Sequence, residues 1–232
     1  MRISLLANRH AKSDVYIVGT GPSLRLFDKQ YLSDKITIGL NQAWKQLPTV
    51  YSISVHPELV IEYEKSKTKN KTNWVVKQKS EFINKSLDDP EYYIFKTVDR
   101  DFSIFTKPKV DHLFIGRGVQ QTAMNLAAIM GAKNIILVGV DMTDVGGDHH
   151  GHDQHVKFHG LDPKSVYAEY RDYTSKARQE LRKLNINVMT LSPFIGSCDA
   201  SEDYTRICAE LKLPKLPKPE DTSTYLRKSV DR

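Results

Sequence analysis

The sequence has few of the features that stabilise or anchor a protein outside the cell. Only two of its 232 residues are cysteines, Cys198 and Cys208, and they lack the spacing of a metal site. No stretch approaches the ~18 apolar residues of a membrane-spanning helix, and the apolar part of the N-terminus is too short for a secretion signal. We therefore expect a reduced, cytoplasmic protein without a transmembrane segment.

The chain also lacks internal repeats and an acidic charge balance. Its net charge is +6, which suits an anionic partner such as a nucleotide, nucleic acid or lipid head group, although a modest lysine excess is also common on inert surfaces. Hydrophobic residues make up 40% of the sequence, enough for the core of one large domain. We expect this domain over residues 1–197 and a C-terminal helix with a basic tail over 198–232.

A glycine-rich turn follows the first strand-forming run, Val15–Val18. Its glycines would let the backbone come close to a ligand, and the N–H groups of a helix beginning at Pro22 or Ser23 would favour phosphate. An ordinary strand-to-helix turn is the alternative. The dinucleotide fingerprint is excluded because it requires a third glycine, which is missing. The candidate nucleotide-binding residues here are Gly19, Thr20, Gly21, Pro22 and Ser23.

Later apolar runs end in the same manner, at polar residues or glycine. The predicted strand 35–41 ends at Asn41, the strand 51–56 ends at His56, and the strand 134–142 contains Gly139 and Asp141 near its end. Ligands of open α/β sheets bind at the carboxyl ends of the strands. These residues are therefore predicted to line one crevice together with the glycine-rich turn.

Helical segments alternate with these strands. The spacing predicts helices over 22–32, from Pro57, over 119–130 with Gly131 as a left-handed cap, and over 163–184 with Asp162 as the N-cap. A last strand is predicted over 187–191. This alternation predicts an α/β fold: one doubly wound, mostly parallel Rossmann-like sheet flanked by helices, with a smaller lid or insert.

Residues 64–112 are harder to interpret. Short strands are predicted around Trp74 and Tyr92, and the region could serve as an acceptor platform, a lid or a subunit contact of a homo-oligomer. The segment 143–160 is predicted to be a lid loop, and it is rich in glycine, aspartate and histidine. One of its histidines could be a general base, or histidine and aspartate could hold a divalent metal. An ordinary polar loop is the third possibility.

The order of these motifs resembles a known family. Gly19-x-Gly-Pro-Ser-Leu24, Leu40-Asn-Gln42, His56-Pro-Glu58, Gly116-Arg-Gly-Val119 and Gly139-Val-Asp141 precede the histidine segment and Leu191-Ser-Pro193. In this order they resemble the bacterial sialyltransferases that act on lipooligosaccharide. They are also similar to a related family that includes archaeal 6-hydroxymethylpterin diphosphokinases and is frequent in bacterial and phage genomes. The resemblance covers about residues 15–195.

The resemblance implies a transferase that moves a sugar from a CMP- or UDP-activated donor to a hydroxyl, with no metal cofactor required. The acceptor would be a saccharide or a hydroxylated base in DNA, inside a bacterial or phage-infected cell. His56 stands where the family has a donor-binding asparagine, and Arg117 could grip a phosphate or carboxylate. The implied nucleotide-binding residues are Gly19, Gly21, Pro22, Ser23, Asn41, His56, Gly116, Arg117, Gly118, Gly139 and Asp141. The implied catalytic base is His159, with His155 and His152 as rivals.

Two other functions remain open from the sequence. A diphosphokinase would transfer pyrophosphate from ATP to a hydroxymethyl pterin-like substrate and would need Mg²⁺, with Asp141, Asp144 or Asp148 as oxygen ligands. A nucleotide-binding protein without catalysis is the other alternative.

Overall fold

Eight parallel strands form a single open sheet in the computed structural model, which describes residues 1–25, 27–66, 70–78, 92–142 and 162–192. The strand order is β6-β5-β4-β3-β2-β1-β7-β8. The strands are β1 Asp14–Val18, β2 Ile36–Leu40, β3 Tyr51–Ser54, β4 Asn73–Lys77, β5 Tyr92–Asp99, β6 His112–Ile115, β7 Asn134–Val138 and β8 Asn187–Thr190. The predicted α/β fold with a mostly parallel Rossmann-like sheet is confirmed.

Alternation along each strand supplies apolar side chains to both faces of the sheet. On one face, Ile17 and Ile135 belong to a core that includes residues of α2 (Val119–Ile129) and α3 (Pro163–Arg182). On the other face, Tyr16 and Ile136 pack with short 3-10 helices, and the helix α1 (Pro57–Lys65) covers β4. Helices therefore lie on both faces, as a doubly wound sheet requires.

The order of the strands places a switch point between β1 and β7. From β1 to β6, each new strand pairs with the strand before it, so the sheet grows in one direction. The chain then returns through α2, which packs on β6, β3, β2 and β1, and β7 pairs with the other side of β1. After β1, Leu24 packs in the core on one face of the sheet, whereas Val140 and Met142 after β7 pack in the core on the other face. A crevice opens where these two loops separate, and this is the usual ligand position in such sheets.

The caps and most strand positions follow the sequence prediction. Gly131 has a left-handed backbone (φ 83°) after α2, and the Asp162 carboxylate accepts hydrogen bonds from the N–H groups of Lys164 and Ser165 at the start of α3. Strand β6, which the sequence analysis did not identify, lies at one edge of the sheet beside β5. The described part of 64–112 thus contributes β4 and β5 to the same sheet, and β6 begins at its last residue.

The predicted helix over 22–32 is wrong. Two 3-10 helices, Pro22–Arg25 and Lys29–Leu32, stand in its place. The reason is Asp28, whose carboxylate accepts the Gln30 N–H and begins a new helix, because aspartate competes for backbone N–H groups within a helix. None of the helices in the described ranges is long and apolar enough to cross a membrane.

Candidate functional site

A cleft of about 250 Å³ opens at the carboxyl edge of the sheet, over the switch point between β1 and β7. Its walls come from the ends of β1, β2, β3, β6 and β7, the start of α2 and the first half of α3. Ten of the predicted site residues line it: Gly19, Thr20, Gly21, Asn41, His56, Gly116, Arg117, Gly118, Gly139 and Asp141. The convergence expected from the strand ends is therefore present in the structure.

Pro22 and Ser23 are not among the residues that line the cleft. Ser23 is buried instead, and its N–H donates to the Asp141 carboxylate at 2.8 Å. Its hydroxyl donates to the other oxygen of the same carboxylate, which the hydroxyl of Ser192 also contacts. One carboxylate thus joins the loops that follow β1, β7 and β8.

Burial dominates the electrostatics of Asp141, which is 2% exposed. Desolvation raises the pKa of its carboxyl above the ordinary value of 3.8, and the hydrogen bonds from Ser192 and Ser23 oppose that rise. Both carboxylate oxygens already accept hydrogen bonds from the protein. Asp141 therefore shapes the wall of the cleft and has little acceptor capacity left for a ligand or metal.

The glycines of the first turn pack against the protein's own backbone. A Cβ on Gly19 would overlap the carbonyl oxygen of Gly139, and a Cβ on Gly21 would lie 2.5 Å from the Asp141 carboxylate. The Gly21 N–H donates to the Gly139 carbonyl at 2.8 Å. Pro22 has no N–H, and the N–H of Ser23 donates to Asp141. The expectation that free N–H groups at this helix start bind a phosphate is therefore wrong for Pro22 and Ser23.

Asn41 ends β2 with a left-handed backbone (φ 50°), a conformation that asparagine tolerates better than most residues. Its side-chain oxygen accepts a hydrogen bond from the Ser54 hydroxyl at 3.1 Å, and the same hydroxyl accepts the His56 N–H at 3.0 Å. Ser54 thereby fixes the adjacent ends of β2 and β3. The His56 imidazole is exposed, with its Nδ1 3.3 Å from the Glu58 carboxylate.

Arg117 does not face the cleft as a free cation. Its Nε and Nη2 contact the two carboxylate oxygens of Glu169 on α3, at 2.5 and 3.2 Å. Tyr170, the next residue of α3, lines the cleft, and burial raises the pKa of its hydroxyl. The phenol consequently stays protonated at neutral pH and can donate a hydrogen bond.

Sequence reasoning missed the polar side chains that α2 and α3 bring to the cleft. They are Gln120, Thr122, Tyr167 and Tyr170. A helical face of small and apolar residues identified α2, but that pattern does not show which polar positions of its first turns face the sheet edge. Gln121 connects the two helices, because its side chain accepts the Gly118 N–H and donates to Thr174.

The three candidate bases, His152, His155 and His159, lie outside the described residues, as do Asp144 and Asp148. Their proposed roles stay predictions. Within the described ranges, no group of three or more histidine, cysteine, aspartate or glutamate side chains is arranged to hold a metal ion.

No family model matches the chain, and no curated protein does. Among solved structures, it is similar to a CST-II sialyltransferase variant in complex with CMP, with 14% identity, a TM-score of 0.45, and coverage of 83% of this chain and 87% of that chain. It is also similar to CstII from Campylobacter jejuni in complex with CMP-3FNeuAc, with 15% identity, a TM-score of 0.45, and coverage of 90% and 88%.

A third similar structure is CST-II in complex with a trisaccharide acceptor and CMP. The identity is 16%, the TM-score is 0.46, and the match covers 78% of this chain and 82% of that chain. At this level of identity, the likeness concerns the fold.

Proposed function

We propose that this protein is a glycosyltransferase-like enzyme that moves a sugar from a CMP- or UDP-activated donor to a hydroxyl acceptor. The observation that carries the proposal is the convergence of five separate motif segments in one cleft. These are the segments around Gly19, Asn41, His56, Arg117 and Asp141, whose order along the chain resembles that of bacterial sialyltransferases. These segments lie far apart along the chain, and the fold brings them together at the switch point, where α/β sheets bind nucleotides.

The composition of the cleft supports a mononucleotide ligand. Apolar side chains, including Leu40, Val55 and Ile115, share its walls with a few polar groups, as in most small-molecule sites. Two non-glycine residues of the lining, Asn41 and Met142, have left-handed backbones, with φ of 50° and 51°. Such strained conformations are enriched at ligand sites.

In the proposed reaction, the bond between the anomeric carbon and the donor's phosphate oxygen breaks, and the acceptor oxygen bonds to that carbon. The nucleotide leaves with the bonding electron pair. The proton of the acceptor hydroxyl passes to a histidine of the segment 143–160, for which His159 is the first candidate and His155 and His152 are the others. The acceptor is a saccharide or a hydroxylated base in DNA.

The diphosphokinase alternative has less support. It names Asp141, Asp144 or Asp148 as oxygen ligands of Mg²⁺, and of these only Asp141 lies among the described residues. Both oxygens of this carboxylate instead accept hydrogen bonds from Ser23 and Ser192 in the structure. A magnesium ion there would compete with the contacts that join three strand ends.

A thermal-shift screen of nucleotides with and without Mg²⁺ tests the proposal, because a ligand that binds only the folded chain raises the melting temperature. We expect CMP or UDP to stabilise the protein without metal and cytidine or uridine to stabilise it less. Stabilisation by ATP only in the presence of Mg²⁺ would favour the diphosphokinase.

Turnover separates an enzyme from a binding protein. Release of CMP or UDP from the corresponding nucleotide sugar should be measured with saccharide acceptors and with hydroxymethylated DNA. His159→Ala, His155→Ala and His152→Ala should be compared, and at least one of them should lose turnover while nucleotide binding persists. Nucleotide binding without turnover on any acceptor would favour the alternative that the protein binds nucleotides without catalysis.

A further inference from the structure

Two buried polar atoms at the start of α2 have no hydrogen-bond partner among the described residues. They are Nε2 of Gln120 and Oγ1 of Thr122. Gln120 is 6% exposed and Thr122 is fully buried, yet both residues line the cleft. A buried donor that lacks a partner destabilises a fold. Such groups are expected where a bound ligand supplies the missing partner.

The same end of α2 carries uncapped backbone N–H groups. The N-cap residue is Gly118, which has no side chain to accept them. The side chain of Gln121 accepts only the N–H of Gly118 itself, at 3.0 Å. The first N–H groups of a helix have no partner inside it, and the helix dipole makes this end positive. The end therefore favours an oxygen that carries negative charge.

Gly118 also determines where the Gln120 amide lies. A Cβ added to Gly118 would overlap Oε1 of Gln120 and would lie 2.6 Å from its Nε2. The Gln120 side chain thus folds back over the start of its own helix, next to the uncapped N–H groups. Glycine at position 118 leaves the space for this placement.

The strongest cation at the cleft is already neutralised. The guanidinium of Arg117 is paired with the Glu169 carboxylate through two contacts. Neutral donors at the start of α2 can then bind an oxyanion without a full positive charge, and they suit a group of low negative charge. A phosphodiester and a carboxylate both meet this description.

We propose that Gln120 and Thr122, together with the start of α2, form an oxyanion-binding subsite within the cleft. Its ligand is a phosphate or carboxylate group of the bound donor. The assignment rests on the proposed function, since it places a charged group of a nucleotide-activated donor at this helix. Gln120 and Thr122 are then specificity-determining residues that recognise the donor by hydrogen bonding.

The test uses four variants of the full chain. Thr122→Val has the shape of threonine without the hydroxyl, and Thr122→Ser retains the hydroxyl as the matched control. Gln120→Met removes the amide at similar length. Gly118→Ala displaces the Gln120 amide while its added methyl meets only the end of a flexible side chain.

Affinities for CMP and for CMP-N-acetylneuraminate should be measured by calorimetry, and melting temperatures without ligand should be recorded. We expect Thr122→Val, Gln120→Met and Gly118→Ala to weaken binding roughly tenfold or more, as loss of a hydrogen bond to a charged group does. Thr122→Ser should retain affinity. Thr122→Val should melt at or above the wild-type temperature, because it removes an unpaired buried hydroxyl.

The two ligands distinguish the source of the oxyanion. Weaker binding of CMP itself assigns the subsite to the phosphate, and weaker binding of CMP-N-acetylneuraminate alone assigns it to the sugar carboxylate. Unchanged affinity for both ligands in all variants would overturn the subsite and leave the proposed function standing.

Inorganic phosphate separates failure of the subsite from failure of the proposed function. If the wild type binds neither the CMP ligands nor UDP but is stabilised by inorganic phosphate, and Thr122→Val is not, the subsite stands and the proposed function fails. If neither the nucleotides nor inorganic phosphate stabilise the wild type, both are overturned.

Discussion

Ser23 and Asp141 are 118 positions apart, yet the backbone N–H of Ser23 donates to the Asp141 carboxylate at 2.8 Å. The Ser23 hydroxyl donates to the other oxygen of that carboxylate. Gly21 fits between them only because it has no side chain, since a Cβ there would lie 2.5 Å from the carboxylate. The glycine-rich turn therefore packs closely against the buried carboxylate of Asp141, which lies in the loop after β7.

Two replacements of Asp141 should distinguish how its shape and its charge contribute to stability. In Asp141→Asn, the amide oxygen can accept the Ser23 N–H, and the amide NH₂ can donate to the hydroxyls of Ser23 and Ser192. In Asp141→Ala, the Ser23 N–H loses its acceptor. We expect the alanine variant to be less stable than the asparagine variant by about 1–3 kcal/mol in urea unfolding. Equal stability of the two variants would contradict the role of this network.

The buried carboxyl should also make stability depend on pH. Burial raises the pKa of Asp141 above its ordinary 3.8, so the folded chain holds this proton to a higher pH than the unfolded chain. The contribution to stability is complete below the ordinary pKa and is lost as the pH rises through the folded pKa. The stability of the wild type relative to Asp141→Asn should therefore fall as the pH rises above the ordinary carboxyl pKa of 3.8. A difference that is constant or rises with pH would contradict the shift.

Close packing at the first turn predicts a cost for any side chain at Gly19. In Gly19→Ala the new methyl would overlap the Gly139 carbonyl oxygen, so the backbone of one loop must move. We expect a loss of about 1–3 kcal/mol in the free energy of unfolding, as in other overpacked sites. Gly118→Ala is the matched control and should change stability less, because its methyl meets a flexible side chain.

The sequence predicts the fold well where apolar runs end in glycine or polar residues. Strands β1, β2, β3 and β7 were all identified in this way, and the rule for parallel sheets then predicts that Asn41 and Asp141 meet at one cleft. Strand β6 was missed although His112–Ile115 is as long as β3 and is followed by Gly116. Only Leu113 and Phe114 are buried in β6, whereas all four residues of β3 are buried, so its apolar run is a weaker signal.

The contacts within the site could not be predicted from the sequence. The pairing of Arg117 with Glu169, the hydrogen bond from Ser192 to Asp141, and the Ser54 hydrogen bond to Asn41 all join residues from different elements. These contacts depend on how separate elements pack against one another, which no local pattern encodes. The predicted availability of the Ser23 N–H group failed for the same reason.

At the opposite edge of the sheet, His10 predicts a sensitivity to acid. Its Nε2 lies 3.0 Å from the Tyr51 hydroxyl, and burial, followed by the charge of Arg9, lowers the pKa of the imidazole below 6.5. The contribution to stability is then present above the unfolded pKa and is lost as the pH falls through the folded pKa. As the pH falls below about 6.5, the free energy of unfolding should decrease less in His10→Gln than in the wild type.

A control for this effect is His56→Gln, which replaces an exposed histidine beside Glu58. Its stability should follow the pH dependence of the wild type more closely than that of His10→Gln. The assignment of the acid sensitivity to His10 would be abandoned if the two variants lost the same part of the pH dependence.

The ion pair between Arg117 and Glu169 should limit how much negative charge the cleft accepts. In Glu169→Gln the guanidinium loses its counter-charge, so anionic ligands gain attraction. One carboxylate at about 6 Å in water is worth roughly 0.7 kcal/mol per ligand charge, or about threefold in affinity. The gain should therefore rise from CMP to CDP to CTP, and it should shrink in high salt. The variant's stability should change little, because both side chains are about two-fifths exposed, at 41% and 42%, and exposed pairs contribute little.

Glu180→Gln is the matched control, because Glu180 lies on the same helix and pairs with Lys183. It removes the same charge without touching Arg117, so nucleotide affinities should stay close to those of the wild type. If Glu169→Gln instead weakened CMP binding, Glu169 would be holding the guanidinium in a position that the ligand needs. Equal gains for CMP, CDP and CTP would show that the affinity does not respond to charge, and the electrostatic explanation would have to be abandoned.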